Sequence, residues 1–204
     1  MRTARALTTL TGLALTLTLA GCGDSSSDEA TPTAAVSRSA TEHNAADVSF
    51  ASEMIQHHAQ ALAMVDLTQE RNLDPQLQAV VEGIREAQAP EIETMADWLG
   101  DWDEPIPATV RDHVNAEHGM AGMGEGASDI PSMMSATEMA DLGDADDASF
   151  PGLWLEMMIR HHQGAVEMAS AESAGGQYQP AVDLAESITS SQTEEIATMQ
   201  ALLP

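Results

Sequence analysis

One short phrase, Met-Ile-x-His-His, occurs twice in this 204-residue chain and contains four of its seven histidines. The copies lie at residues 54–58 and 158–162, and both ends of the phrase recur at the same distance (158 − 54 and 162 − 58 are both 104). Imidazole is the commonest protein metal ligand, and thioether sulfur suits soft metals such as copper. The two copies therefore indicate one site built from two halves. Its candidate metal ligands are His57, His58, His161, His162, Met54 and Met158.

The apolar pattern around these histidines predicts where they point. When the first segment is projected as a helix at about 100° per residue, Met54, Ala61 and Val65 mark the centre of the apolar arc. His57 and His58 flank that centre, and the second copy repeats the arrangement. We therefore expect all four imidazoles to point into, or along, the interior of a helical bundle.

Two glutamines interrupt the apolar stripes of other predicted helices. Gln88 lies in the middle of one stripe with Glu91 at its edge, and Gln192 and Glu195 repeat this pattern. A buried Gln or His without a partner costs about 1–3 kcal/mol, so the pattern predicts a polar cluster inside the bundle. We expect five residues to form a surrounding layer that orients the imidazoles: Asp47, Gln88, Glu91, Gln192 and Glu195.

Two interpretations of this cluster stay open: it binds a metal or another ligand, or it is only a hydrogen-bonded network. Copper suits Met together with neutral imidazole, whereas zinc would bind the imidazoles and make little use of Met. A di-iron centre needs Glu-x-x-His motifs, but Glu53 lies four residues before His57 and Met158 four before His162. No nucleophile triad, phosphate loop or nucleotide fingerprint occurs, so we expect no enzymatic activity.

Helical periodicity predicts four long helices and no strands. The helices are expected over residues 45–70, 75–99, 150–174 and 180–204, with short ones near 108–117 and 135–142. Asn44 and Asp74 are the predicted N-caps of the first two. Each repeat, 43–100 and 148–204, is then a helix hairpin that cannot bury its apolar stripe alone. We therefore predict an all-α four-helix bundle with pseudo-two-fold symmetry.

The crossover between the repeats, residues 101–147, is rich in Gly, Asp, Met and His. A loop of this length in a compact domain is usually functional or mobile. Its possible metal ligands are His113, His118, Met120 and Met123. Such residues could capture Cu(I), and it is equally open that the methionines of this region only cover the bundle.

The N-terminal residues are expected to direct export rather than to fold. Residues 1–22 have a basic start at Arg2 and Arg5, an apolar run, and a final Leu-Ala-Gly-Cys that resembles the bacterial lipobox. This resemblance implies that Cys22 is lipidated and anchors the protein to the extracytoplasmic face of the cell membrane; an ordinary secretory signal is the alternative. Residues 23–42 read as a flexible tether before the bundle domain, 43–204.

Charge and cysteine content limit the class of partner. The formal net charge is −26 and the chain has no lysine, so nucleic acid and anionic surfaces would repel it while cations would concentrate near it. Cys22 is the single cysteine, which excludes an internal disulfide. An exported protein without other thiols would bind a soft metal through Met and His.

The repeated motif resembles that of the secreted ferritin-like family called "domain of unknown function three hundred and five". The matching pattern is Phe-x-x-x-Met-Ile-x-His-His, a later Met, and Gln-x-x-Glu-Ile-x-x-Met; its first copy runs from Phe50 through Met64 to Met95. Its second copy keeps everything from Met158 through Met168 to Met199. The resemblance implies a ferritin-like fold and, because some relatives bind copper or confer copper tolerance, a copper site. An Asp seven residues before Met-Ile is usual in the family; Asp47 fills this position, but Pro151 replaces it in the second copy.

The expected function is that of an extracytoplasmic, lipid-anchored protein that binds or buffers copper, with Cu(I) favoured and zinc possible. Its partners would be the metal ion, the membrane through the lipid anchor, and a metallochaperone or transporter, but no nucleic acid. The alternative is a structural or protein-interaction bundle whose buried His–Gln network holds no metal.

Overall fold

The computed structural model describes residues 36–114 and 130–204, and within them it has six helices and no strand. Four helices are long: α1 (Ala45–Asp66), α2 (Pro75–Asp101), α5 (Phe150–Gly175) and α6 (Gln179–Leu202). Two are short, α3 (Val110–Val114) and α4 (Ala136–Asp144). The predicted all-α class is confirmed. No helix in the described ranges combines the length and apolar character that a bilayer span requires.

The helix starts follow the predicted caps. The Asn44 side chain accepts hydrogen bonds from the backbone N–H groups of Ala46 and Asp47, and the Asp47 carboxylate accepts one in return from Asn44 N–H. Asp74 caps α2 in a similar way, with Pro75 at the first helical position. The first helix ends at Asp66, earlier than the predicted residue 70. The Thr68 hydroxyl donates to the Val65 carbonyl at 2.6 Å and so replaces the next helical hydrogen bond.

The long helices pair as two hairpins. Helix α1 packs against α2 and α5 against α6, and the hairpins join through contacts of α1 with α5 and of α2 with α6. The short helices lie outside this arrangement, α3 against α1 and α4 against α5. This is the four-helix bundle that the internal repeat predicts.

Two apolar clusters fill the bundle interior at different heights. The first joins the N-terminal halves of α1 and α6 to the C-terminal halves of α2 and α5; its members include Phe50, Met54, Met95, Leu99, Met168 and Ile188. The second joins the opposite halves and includes Met64, Ile84, Trp154, Met158 and Met199. On each long helix, the His and Gln residues of the repeated motif fall between the two clusters. The bundle is therefore apolar at both ends and polar at its middle.

Arg38 and Ser39, near the end of the segment expected to be the tether, form hydrogen bonds with the bundle. Ser39 N–H donates to the Gln177 carbonyl at 2.8 Å, and Gln179 N–H donates to the Ser39 carbonyl at 2.7 Å. The Arg38 guanidinium donates to the carbonyls of Ser173 and Gly176 at the end of α5. These hydrogen bonds attach the segment to the connection between α5 and α6, because that connection presents free backbone groups at a helix C-terminus. Residues 1–35, which include Cys22, lie outside the described part of the chain.

Candidate metal centre

Six polar side chains of the repeated motif form a buried layer at the middle of the bundle. Each is at most 2% exposed: His57, His58, Gln88, His161, His162 and Gln192. The four long helices all contribute, with two histidines each from α1 and α5 and one glutamine each from α2 and α6. The layer has the composition that the helical projection predicts.

Two of these imidazoles lie face to face across the bundle. The ring centroids of His57 and His161 are 3.6 Å apart and the ring planes are tilted by 32°. Burial, together with the neighbouring imidazoles, holds the pKa of both rings well below the usual value, so both are neutral at pH 7. The Pro131 carbonyl opposes this for His57 but is not placed for a regular hydrogen bond. Neutral rings keep a nitrogen lone pair that can bind a metal.

The other two histidines form matching pairs with acidic residues. The distance from Nε2 to the carboxylate Oε2 is 2.8 Å in His58–Glu91 and also 2.8 Å in His162–Glu195. Both imidazoles are fully buried, whereas the Glu91 and Glu195 side chains are 18% and 25% exposed. When Nε2–H donates to the carboxylate, Nδ1 is the ring nitrogen that faces away from the acid. Each acid therefore fixes the tautomer and orientation of its histidine, as carboxylates do for metal-bound imidazoles.

Many polar atoms of the layer have no hydrogen-bond partner among the described residues. They are both ring nitrogens of His57, Nε2 of His161, Nδ1 of His58 and of His162, both amide atoms of Gln88, and Oε1 of Gln192. Each such atom costs about 1–3 kcal/mol when buried and unpaired. A network that served only to hold the helices in register would pair these atoms with one another. The free lone pairs instead form a donor set that fits a metal bound by imidazole nitrogen.

The stacked rings cannot hold an ion between them in this arrangement. A metal–imidazole bond is about 2 Å long, so two rings on opposite sides of one ion would have centroids roughly 6 Å apart. Among residues 36–114 and 130–204, moreover, no three His, Cys, Asp or Glu side chains are gathered into a group that could hold an ion. Metal binding would therefore require His57 or His161 to rotate, or a donor such as Met to complete the set.

The two candidate methionines lie on opposite sides of the polar layer. Met54 and Met158 are both fully buried, Met54 in the apolar cluster at one end and Met158 in the cluster at the other. The structure therefore does not bring them together at one point. It places a thioether residue one helical turn before the His pair in each half, at equivalent positions.

Asp47 has a structural environment that differs from the predicted one. It lies about 16 Å along the helix axis from His58, too far to orient an imidazole. Its carboxylate accepts hydrogen bonds from the backbone N–H groups of Gln177 at 3.0 Å and Tyr178 at 2.9 Å. The expectation that Asp47 orients an imidazole is corrected accordingly, because these bonds hold the start of α1 to the connection between α5 and α6.

A buried carboxyl group accompanies Asp47. Glu172 is 2% exposed, and its pKa is raised to about 8 by burial and by the adjacent Asp47 carboxylate. Burial raises the pKa of Asp47, but the neighbouring Glu172 carboxyl group and the backbone N–H groups of Asn44, Tyr178 and Gln177 together hold it below its ordinary value. The sequence gives no signal for this pair, since Glu172 and Asp47 are distant in the chain.

Residues 130–134, which we call the strap, cover one side of the layer. The buried Gln60 side chain donates to the Met134 carbonyl at 2.8 Å and accepts from Met134 N–H at 2.6 Å. Gly164 allows the strap to approach α5, because a Cβ at this position would collide with the Pro131 carbonyl oxygen. Gln60 and Gly164 occupy equivalent positions in the two repeats. This difference in residue type is the sequence feature that could have indicated the strap.

The predicted crossover ligands cannot be placed. The backbone of residue 113 belongs to helix α3, but the His113 side chain lies outside the described part of the chain. The same holds for His118, Met120 and Met123. Met134, by contrast, is buried against the bundle, and its sulfur contacts the Arg160 guanidinium at 2.8 Å.

Solved structures and a family model resemble this chain over most of its length. A DUF305 protein from Streptomyces coelicolor is 29% identical with a TM-score of 0.64, covering 77% of this chain and 89% of that one. A DUF305 fragment from Deinococcus radiodurans is 28% identical with a TM-score of 0.61, covering 78% and 95%. CopM in its Cu(I)-bound form is 26% identical with a TM-score of 0.59, covering 76% and 94%.

CopM has also been solved in Cu(II)-bound and Ag-bound forms. No curated protein matches this chain. The matched family is not a recognised enzyme family. The model of the family described as "Domain of unknown function (DUF305)" matches residues 47–203, which span both repeats and the crossover, and the chain belongs to this family.

Proposed function

We propose that this protein binds copper, most favourably Cu(I), in the polar layer of the bundle. The observation that carries the proposal is the set of buried imidazole nitrogens without a hydrogen-bond partner. The principal ligands are His57, His58, His161 and His162, with Met54 and Met158 as supporting ligands. Copper is the cargo in this account, and the protein buffers it or hands it on.

The residues around the ligands have separate tasks. Glu91 and Glu195 hold the imidazoles of His58 and His162 with Nδ1 directed away from the carboxylate. The amide oxygens of Gln88 and Gln192 add two buried acceptors that have no hydrogen-bond partner among the described residues. Desolvation keeps His57 and His161 neutral, so a cation does not have to displace a proton from either ring.

The choice of copper rests on donor chemistry and on the structural relatives. Imidazole together with thioether is a soft-to-borderline donor set, which favours Cu(I) over harder ions. Zinc would use the imidazoles alone. The resemblance to CopM, solved with Cu(I), Cu(II) and Ag, supports the same cargo here.

We further propose that the protein works outside the cytoplasm, attached to the membrane by lipid on Cys22. The basic start, apolar run and Leu-Ala-Gly-Cys of residues 1–22 support this location. Because residues 38 and 39 are fixed to one end of the bundle, the tether would run from residue 23 to about residue 37. A metallochaperone or a transporter would then exchange copper with the domain at the membrane surface.

The competing proposal is a bundle whose polar layer only specifies helix packing. The two His–Glu pairs favour it, because each is a complete hydrogen-bonded unit without metal. It predicts that added copper leaves the thermal stability of the protein unchanged, whereas a ligand that binds the native state must raise it.

Competition titration separates these proposals. The mature protein is titrated with Cu(I) against a chromogenic chelator and compared with a variant carrying His57→Ala, His58→Ala, His161→Ala and His162→Ala. The matched control is His43→Ala, because His43 stacks on Trp102 at 4.4 Å and lies outside the layer. We expect tight binding that survives in the control and is lost in the quadruple variant. Weak binding by the wild type, or equal binding by the quadruple variant, would overturn the proposal.

A further inference from the structure

We propose that the strap, residues 130–134, is the wall that opens to let copper reach the His57–His161 pair; this inference rests on the proposed function. The strap lies against both helices that carry the histidines, α1 through Met134 and α5 through Pro131. Its Pro131 carbonyl is the polar backbone group beside His57, and Pro131 also lies against Gly164 of α5. An ion approaching His57 from this side must displace it.

The strap backbone is hydrogen-bonded to α1 through the side chain of Gln60, while the strap side chains of Ile130 and Met134 are buried in the two apolar clusters. Gln60 is fully buried, and its amide makes both hydrogen bonds to the Met134 backbone, one as donor and one as acceptor. Gln60 lies two residues after His58 on α1, one turn beyond His57. Because both hydrogen bonds come from one amide, a substitution at Gln60 removes them together and should make opening of the strap more frequent.

On its solvent-facing side, the strap is held by contacts that water and salt can weaken. Arg160, adjacent to His161, contacts the Met134 sulfur and forms an ion pair with the Glu138 carboxylate. The Arg160 and Glu138 side chains are 49% and 38% exposed, so this ion pair contributes little to stability. The strap can therefore separate from α5 on its solvent-facing side once the hydrogen bonds between Gln60 and Met134 are broken.

The strap makes the two sides of the layer unequal. The bundle has pseudo-two-fold symmetry, but the crossover passes only once and has no symmetric counterpart. Gln60 holds the strap in the first repeat, while the equivalent residue of the second repeat, Gly164, makes room for it. Copper would accordingly enter and leave from the side that the strap covers.

Two substitutions should free the strap by different means. Gln60→Leu keeps the size of the side chain but removes both hydrogen bonds to Met134. Gly164→Ala is compatible with helix α5, because Ala has a high helix propensity, but the added Cβ would overlap the Pro131 carbonyl. Gly83→Ala is the matched control, since it makes the same change inside α2, where a Cβ would have no neighbour within 4 Å.

The mature protein and each variant are compared in amide exchange at Met134 and in Cu(I) transfer to and from a chromogenic chelator. We expect Met134 exchange and both transfer rates to rise about ten-fold in the strap variants, because Gln60→Leu removes two hydrogen bonds that oppose opening and Gly164→Ala pushes the Pro131 carbonyl away from α5. The affinity should stay nearly constant, since the ligands are unchanged, and Gly83→Ala should match the wild type. Faster Met134 exchange with unchanged transfer rates would overturn the proposal.

Deuterium exchange at the Cε1–H of His57 gives a readout without metal. We expect it to accelerate in both strap variants and not in Gly83→Ala. If the wild type bound no Cu(I), the proposed function would fail by itself, and this measurement would still decide whether the strap controls access. Unchanged His57 exchange in variants with a freed Met134 amide would refute the strap proposal.

Discussion

The imidazole rings of His57 and His161 lie face to face, 3.6 Å apart, at the middle of the bundle, where equivalent residues of the two repeats meet. Both rings are neutral because they are buried, and unpartnered nitrogens remain on each. At this separation no ion fits between them. Copper binding therefore requires His57 or His161 to rotate, or a donor such as Met to complete the ligand set.

The two His–Glu pairs should contribute equally to copper affinity. Glu91→Gln and Glu195→Gln keep the shape of the side chain but remove the negative charge next to His58 and His162. Because loss of such a partner typically costs 10–100-fold, we expect Cu(I) affinity to fall roughly ten-fold or more in each variant. Glu93→Gln, an exposed change on the same helix as Glu91, is the control. Competition titration measures the effect, and unchanged affinity in both variants would contradict the role of the acids.

The buried glutamines should respond to substitution in opposite directions. Both amide atoms of Gln88 lack partners, whereas those of Gln60 are paired with Met134. We expect Gln88→Leu to raise the free energy of unfolding of the metal-free protein by about 1–2 kcal/mol, and Gln60→Leu to lower it by about 1–3 kcal/mol. Urea denaturation compares the two. Equal destabilisation by both changes would indicate that Gln88 belongs to a satisfied structural network.

Asp47→Asn should separate stability from copper binding. The substitution weakens charge-assisted hydrogen bonds from the backbone of Asn44, Gln177 and Tyr178. We expect the free energy of unfolding to fall by about 2–4 kcal/mol, because a buried acceptor loses its charge among several donors. The Cu(I) affinity of the folded protein should not change. A loss of affinity without a loss of stability would return Asp47 to the copper site.

Glu172 should make the protein less stable as the pH rises. Its pKa is about 8 in the folded protein against an ordinary value of 4.5, so the folded state retains a proton that the unfolded state releases. The stabilisation is complete below about pH 4.5 and is lost progressively up to about pH 8. The lowered pKa values of His57 and His161 act in the opposite sense, since they reduce stability as the pH falls below 6.5.

Comparison with Glu172→Gln isolates this contribution. The difference in unfolding free energy between wild type and variant should change steadily from about pH 5 to about pH 8. The change should be at most about 1.4 kcal/mol for each pH unit. Glu167→Gln, an exposed change on the same helix, should give a difference that does not depend on pH. A pH-independent difference for Glu172→Gln would show that the carboxyl is ionised in the folded protein.

Periodic features of the sequence predicted the bundle and its polar layer. The apolar arc directed His57 and His58 inward, and the interruption of a stripe identified Gln88, because a helix fixes the direction of each side chain in its own frame. Cap residues such as Asn44 were predictable for the same reason, since capping uses only local backbone geometry. These predictions needed no knowledge of the packing between distant segments.

Contacts between distant segments were not predictable from the pattern. The strap has no periodicity, and its position depends on the side chain of Gln60 and on the space at Gly164. The pairing of Asp47 with Glu172 likewise depends on how α1 meets the end of α5. The stacking of His57 on His161 depends on how far α1 and α5 are rotated about their own axes. The apolar periodicity shows which face of each helix is buried, but it does not fix this rotation closely.

Copper K-edge X-ray absorption of the Cu(I)-loaded mature protein tests the central claim most directly, because it reports the atoms bound to the metal. We predict imidazole nitrogen at about 2 Å and thioether sulfur at about 2.3 Å. The nitrogen contribution should disappear when His57, His58, His161 and His162 are all replaced by alanine. A spectrum without imidazole nitrogen, or one that the four substitutions leave unchanged, would contradict the account.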